Sequence, residues 1–164
     1  MTSMIELDIL ETQENQLRFH QFDGEEAYQL GTFMAEYAKE HGITIAFSIR
    51  LANGYVIFQY GPDGTSFNNQ RWMDRKFRTV CNWQKSSLYV TYMLERKGQS
   101  LEHHGLDSET YALCGGGFPI RVNNFEGIVG VILASHLHPV ADHGFIVDCL
   151  KAYLQKPDVP GIEM

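Results

Sequence analysis

The chain has 164 residues, of which 44% are hydrophobic and 20% are charged, and its formal net charge is −7. This length and composition are typical of one soluble globular domain with a single core. The acidic balance argues against binding of the nucleic-acid backbone or of an anionic membrane surface, because both of these partners need a basic face.

Cysteine usage and the N-terminal segment favour the cytoplasm. Cys81, Cys114 and Cys149 lie far apart and form no CxxC pair, which argues against a disulfide framework or a structural zinc site. The first ten residues contain no basic region of a signal peptide, and the longest apolar stretch is too short to span a bilayer. We therefore predict a cytoplasmic protein with free thiols.

The first third of the chain predicts helices and a strand. Residues 3–14 are compatible with a short helix, and residues 17–19 with a strand that joins the sheet. A longer helix is predicted over residues 24–41, because Asp23 and Glu26 have the spacing of a capping box and a glycine follows the last turn. The apolar residues of this helix recur at intervals of three and four: Ala27, Leu30, Phe33, Met34, Tyr37 and Ala38.

The period then changes from helical to alternating. Residues 43–51 alternate large apolar with smaller or polar side chains, which indicates a strand with one buried face. Asn53-Gly54 separates this strand from residues 55–58, and this pattern predicts a hairpin with a type I′ turn. Residues 69–97 are helical in pattern, and we predict two helices that are separated at Ser86-Ser87, where a hydroxyl can cap the second helix.

The last third of the chain predicts two further strands and a final helix. The strands are residues 118–122 and 128–134, the helix begins at Pro139, and residues 157–164 look like a loose tail. Successive strands joined by tight turns favour antiparallel pairing. We therefore predict one α+β domain over residues 1–164, with helices covering a mostly antiparallel five-stranded sheet.

Four motifs, in this order, resemble those of one known family. They are Trp72-x-x-Arg75-Lys76, Ser86-Ser87, Tyr111-Ala112-Leu113-x-Gly115-Gly116-Gly117-Phe118-Pro119-Ile120, and Gly127-x-x-Gly130-Val131 with Asp142-His143 downstream. On these motifs the chain resembles the small stand-alone branch of the haem-degrading-domain (GlcG/HbpS-like) family over about residues 20–155. The resemblance implies a fold similar to profilin and to PAS-type sensor domains. It also implies a homo-oligomer, with haem or a related flat anionic compound as the ligand.

The sequence departs from the family pattern at two places. Ala134-Ser135-His136 stands where relatives usually carry Val-Ser-Gly, and Cys114 stands where a histidine is often found. Both departures fall next to the glycine stretch and the last strand, so they bear on any ligand site that is built there.

The three consecutive glycines at 115–117 have two interpretations. Backbone N–H groups without side chains can form a concave nest that holds an anion or a carboxylate. Alternatively, the glycines allow a sharp turn into the strand that begins at Phe118.

A cluster of basic residues on the predicted helix 69–85 also has two interpretations. With Trp72 beside them, these cations could bind the ring and the propionates of a tetrapyrrole or another flat anionic ligand. They could instead be a solvated face that pairs with acidic residues of a neighbouring subunit. The cluster consists of Arg71, Arg75, Lys76, Arg78 and Lys85.

Three histidines follow the last strand, and one cysteine precedes the glycines. Imidazole suits iron, zinc and copper, but His136, His138 and His143 match no established metal motif, so no metal site is predicted. Cys114 would need a histidine base to act as a nucleophile, and a small apolar filler is the favoured interpretation.

The leading hypothesis is a cytoplasmic, oligomeric small-molecule binding protein without nucleic-acid or membrane partners. The alternatives are a non-enzymatic assembly module that acts through protein partners, and a small enzyme that uses Cys114 or a histidine. The predicted ligand-binding residues are Trp72, Arg75, Lys76, Gly115, Gly116, Gly117 and Phe118.

Overall fold

The computed structural model describes residues 4–162, which contain five α-helices and four β-strands. Residues 1–3 and 163–164, which include the first residue of the predicted first helix and the end of the predicted tail, lie outside the described residues. In chain order the elements are α1 Met4–Gln16, α2 Gly24–Glu40, β1 Ala46–Leu51, β2 Val56–Tyr60, α3 Phe67–Trp83, α4 Ser87–Lys97, β3 Gly117–Ile120, β4 Gly130–Ser135 and α5 Pro139–Tyr153.

The strands form one sheet in the order β2-β1-β4-β3, and every neighbouring pair is antiparallel. Helices α2 and α5 pack on one face, and α3 covers the other face with α4 beside it. The central strand β4 is buried on both sides, because Ile132 and Ala134 join the core under α2 and α5 while Val131 and Leu133 pack towards α3. The predicted α+β class with an antiparallel sheet is confirmed.

The prediction of a five-stranded sheet is wrong, because the sheet has four strands in the part of the chain that is described. Residues 17–19 were expected to supply the fifth strand, but only Phe19 pairs, through an isolated parallel bridge to Val122. The Phe19 N–H donates to the Arg121 carbonyl at 2.9 Å. The helix cap Asp23 follows so soon that the chain turns away after one pair.

The hairpin between β1 and β2 is present, but its turn is not of type I′. That turn needs a positive φ at both central residues, and here Gly54 has a φ of +95° whereas Asn53 is not in the left-handed region. The Gly54 N–H donates to the Leu51 carbonyl, and the Leu51 N–H donates to the Tyr55 carbonyl. This pattern is that of a type I turn followed by a glycine bulge.

The predicted helix boundaries from local capping signals are confirmed. The Asp23 carboxylate accepts the Glu26 N–H at 2.8 Å and begins α2. The Ser86 hydroxyl accepts the Tyr89 N–H at 3.1 Å and begins α4, which ends at Gly98 with a φ of +65°.

The segment after α5, which was expected to be a loose tail, contacts α1 in its described part. Val159 is buried, and the Gln13 side chain donates from Nε2 to the Pro160 carbonyl at 2.8 Å. Within residues 4–162, no helix has the length and apolar character that a membrane crossing requires.

Candidate functional site

A pocket of about 320 Å³ lies between α3 and the connection from β4 to α5. Trp72 and Lys76 line it from α3, and Cys114 lines it from the position just before the glycines. His136 lines it from the segment between β4 and α5, and Asp142 lines it from the first turn of α5. This volume is at the small end of the range for small-molecule sites.

A buried ion pair forms the charged part of the pocket wall. Lys76 Nζ lies 3.1 Å from Asp142 Oδ2 and also donates to the Ala134 carbonyl at 2.8 Å. Asp142 Oδ1 accepts the Leu137 N–H at 2.8 Å. An ammonium carries three N–H donors, and these two contacts account for two of them.

The Asp142 carboxylate is under two opposed influences. Burial raises the pKa of Asp142, whereas the nearby Lys76 ammonium and the backbone N–H groups of Leu137 and His136 favour the charged form. Loss of either charge would leave the other one buried without a counter-charge. The pair therefore connects α3 to α5 only while both side chains are ionised.

The glycine stretch allows the backbone to pass close to this ion pair. Gly116 has a φ of +117°, and a β-carbon there would lie 2.5 Å from the Ala134 carbonyl oxygen and 2.6 Å from Lys76 Nζ. A β-carbon at Gly115 would lie 2.3 Å from the Pro139 carbonyl oxygen. These contacts support the structural interpretation of the glycines, because no larger residue fits without moving backbone.

The anion-nest interpretation of the same stretch has less support. The Gly117 N–H already donates to the Ser87 hydroxyl at 2.9 Å, so it is not free for a ligand. The preceding Ser86 N–H donates to the buried Glu14 carboxylate at 3.0 Å, and Glu14 also pairs with Arg121 at 3.2 Å. The Ser86-Ser87 motif thus ties α1, α4 and β3 together.

Two arginines of α3 bind the backbone of the loop before the glycines, a role that differs from both interpretations of the basic cluster. Arg75 lies over the Trp72 ring, with its guanidinium carbon 4.2 Å from the ring centroid, and donates to the Tyr111 carbonyl at 3.5 Å. Arg78 donates to the Thr110 carbonyl at 3.2 Å. These two arginines therefore anchor the loop that leads into the glycines.

The seven residues predicted to bind a ligand fall into four groups. Trp72 and Lys76 line the pocket, Arg75 lies against Trp72, and the three glycines run beside the ion pair. Phe118 points to the other face of the sheet, where its ring centroid is 5.8 Å from that of His143 in the core under α2 and α5. Alternation along β3 separates Phe118 from its neighbours. Ligand binding by these residues stays a prediction.

The three histidines near α5 have different environments. His138 caps α5, since its Nδ1 accepts the Val140 N–H at 3.2 Å. His143 is buried and donates from Nε2 to Gln13 Oε1 at 2.8 Å, which leaves its Nδ1 without a partner in the described part of the chain. Burial lowers the pKa of His143 to about 4. His136 is exposed at the pocket.

Metal binding and thiol chemistry find little support in this arrangement. Among residues 4–162, no three His, Cys, Asp or Glu side chains have a geometry that would hold a metal ion. Burial raises the pKa of the Cys114 thiol, although Lys76 opposes this shift. The thiol is therefore protonated at neutral pH, which disfavours a nucleophilic role.

Sequence reasoning did not include Asp142 or His136 among the ligand-site residues. An acidic residue in the first turn of a helix is a common feature that stabilises the helix dipole, so Asp142 carried no special signal by itself. Its partner Lys76 is 66 residues away in the sequence, and only the packing of α3 against α5 brings them together.

Comparisons with known proteins show what the chain is similar to. The family model described as "Haem degrading protein HbpS-like" matches residues 22–151. A UPF0303 protein of Paraburkholderia phytofirmans is 36% identical over 150 residues, which cover 91% of this chain and 90% of the relative.

Two solved structures extend the comparison to the fold. The crystal structure of Ybr137w protein superposes with a TM-score of 0.83 at 28% identity, over 92% of this chain and 88% of that one. The crystal structure of a PduOC complex with haem has a TM-score of 0.63 at 14% identity, over 87% of this chain and 99% of that one. At that identity the second similarity shows the fold alone.

Proposed function

The chain belongs to the HbpS-like haem-degrading family, and we propose that it is a small-molecule binding protein whose ligand occupies the pocket between α3 and α5. One observation carries this proposal: the Lys76–Asp142 ion pair is almost fully buried and yet lines a pocket. A buried ion pair is costly to desolvate and is a poor stabiliser compared with apolar packing, so its presence in a pocket wall favours a role in binding.

The proposed ligand is haem or a related flat anionic compound. The charges of Lys76 and Asp142 cancel in the pocket wall, and Arg75, which lies over the pocket residue Trp72, adds one positive charge next to the pocket, which suits a carboxylate. The Trp72 side chain lines the pocket and provides an aromatic surface for a planar ring. The family description and the haem complex of PduOC make haem the first compound to test. Given the pocket size, a tetrapyrrole would extend out of its mouth.

We also propose that the protein assembles into a homo-oligomer in the cytoplasm. Strand β2 lies at an edge of the sheet, and Tyr55 just before it and Val56 at its start are exposed, as is Tyr28 of α2. An uncovered edge with apolar side chains favours pairing with another subunit. The same surface favours the alternative function, an assembly module whose pocket stays empty.

A haemin titration tests the ligand proposal. We expect a saturable shift of the haemin absorbance band for the wild-type protein at protein concentrations up to tens of micromolar, about the weak end of specific binding. Trp72→Leu should weaken binding, and Trp83→Leu should not, because Trp83 does not line the pocket. If the wild-type protein gives no saturable shift, haem is not the ligand.

A further inference from the structure

His136 has a backbone conformation that disfavours any residue with a β-carbon. Its φ is +151°, which is far from the left-handed well near +60° that asparagine or histidine occasionally occupies. Glycine reaches such values without penalty, whereas other residues are strained there and keep the conformation only when their surroundings impose it. The chain therefore retains an imidazole at a position where glycine would be more stable.

The imidazole of His136 has no structural role that would account for its presence. Within residues 4–162 it makes no hydrogen bond, ion pair or ring contact, and only its backbone N–H is used, towards the Asp142 carboxylate. His138 and His143 differ, since one caps α5 and the other donates to Gln13. A glycine at position 136 would keep the bond to Asp142 and remove the strain.

The position of His136 points to the pocket. It lines the cavity from the β4–α5 side, while Trp72 lines it from α3, and the Lys76–Asp142 pair lies in the same wall. Strained residues cluster at ligand sites, where the side chain serves binding and not folding. An aromatic ring from each of two elements would hold a planar molecule whose carboxylate reaches the Lys76 ammonium in the pocket wall.

We propose that His136 is a ligand-contacting residue that selects planar aromatic carboxylates, with its imidazole packed against the ligand ring on the side away from α3. This inference rests on the proposed function, because it names a contact and a ligand class for the same pocket. In this proposal the imidazole contacts the ring and does not ligate iron, so a porphyrin without iron should bind as the iron porphyrin does.

Two variants of His136 separate strain from binding. His136→Gly removes both the imidazole and the strain, so we expect its melting temperature to rise by about 2–4 °C. His136→Ala removes the imidazole but keeps a β-carbon, so its melting temperature should not rise. Both variants should bind haemin and protoporphyrin IX about three- to tenfold more weakly than the wild-type protein, as expected for the loss of one aromatic contact.

The control variant is Gln155→Gly, which relieves a φ of +56° away from the pocket. It should melt at a higher temperature and bind both porphyrins as the wild-type protein does. If it also binds more weakly, loss of binding in His136→Gly reflects backbone relaxation and the proposal falls.

The outcomes distinguish this proposal from the proposed function. If the wild-type protein binds neither porphyrin, the ligand class is wrong and the role of His136 falls with it. If the wild-type protein binds but both His136 variants bind equally well, the pocket proposal stands and only the role of His136 is wrong. Loss of haemin binding with retained protoporphyrin binding would show iron ligation and would also overturn the ring contact.

Discussion

Lys76 Nζ lies 3.1 Å from Asp142 Oδ2, and the two side chains are 3% and 4% exposed. The pair connects the helix on one face of the sheet to the helix on the other, around the end of β4, whose Ala134 carbonyl also accepts from Lys76. The glycine stretch makes this possible, since any side chain at Gly116 would occupy the space of the ammonium.

Breaking this pair should destabilise the fold more than breaking an exposed pair. Lys76→Met leaves the Asp142 carboxylate buried without its counter-charge, and we expect a loss of about 3–5 kcal/mol in the free energy of unfolding. The matched control is Lys39→Met, whose partner Glu36 is exposed, and it should change stability by no more than about 1 kcal/mol. Urea unfolding measures both. A double variant, Lys76→Met with Asp142→Asn, should lose less than the sum of the single changes.

Gly116 should be the least tolerant of the three glycines to a side chain. Gly116→Val meets both the Ala134 carbonyl oxygen and Lys76 Nζ and also requires a positive φ, which alone costs about 1–2 kcal/mol. We expect a lower melting temperature and a shift of the assembly towards smaller species. Gly42→Val measures the cost of a positive φ by itself, because Gly42 has a φ of +64° and a β-carbon there would meet no other atom within 4 Å. Equal melting temperatures for the two variants would show that close packing at Gly116 is unimportant.

Stability should fall as the pH is lowered through the range from 6.5 to 4 because of His143. Burial lowers its pKa from 6.5 to about 4, so in this range the unfolded chain binds a proton that the folded protein excludes. The stability that is lost amounts to about 3 kcal/mol. Glu14 and Asp142 act in the opposite direction, since burial raises the pKa of each and the folded state takes up their protons more readily.

Chemical unfolding between pH 4 and 7 tests this dependence. His143→Gln should flatten the pH dependence, whereas His20→Gln, at an exposed position, should leave it unchanged. An unaltered slope in His143→Gln would show that the titration of His143 does not cause the pH dependence.

Cys114 should be dispensable for the fold and for ligand binding. Its thiol is half-buried in the pocket wall, and burial raises its pKa, so it is present as a small uncharged group. Cys114→Ala should therefore melt within a few degrees of the wild-type protein and bind haemin with similar affinity. Complete loss of a defined activity in a normally folded Cys114→Ala variant would favour the enzyme hypothesis.

The protein should be a homo-oligomer that uses the β2 edge. Light scattering should give a mass that is a multiple of 18.7 kDa at micromolar concentration. Val56→Lys places a charge on the exposed edge and should lower this mass, while Phe125→Lys, in an exposed turn away from β2, should not. A mass of one subunit for the wild-type protein would contradict assembly.

Local signals in the sequence determined the helix boundaries and most of the strands. The caps at Asp23 and Ser86 and the glycine at the end of α4 act through hydrogen bonds or φ values within a few residues, so their effect is visible in a short stretch of sequence. The alternating pattern of β1 and the apolar run of β4 likewise report which faces are covered. The family resemblance drawn from four motifs is confirmed by the match over residues 22–151.

Tertiary packing alone decided the composition of the pocket. The contact between Lys76 and Asp142 spans 66 residues, and the contact between Arg121 and Glu14 spans 107, so no local pattern could pair them. Phe118 is among the predicted ligand-binding residues, but strand alternation turns it to the opposite face of the sheet. Whether a polar residue meets a ligand, a helix cap or a buried partner depends on distances set by the packed helices, as the different environments of His136, His138 and His143 demonstrate.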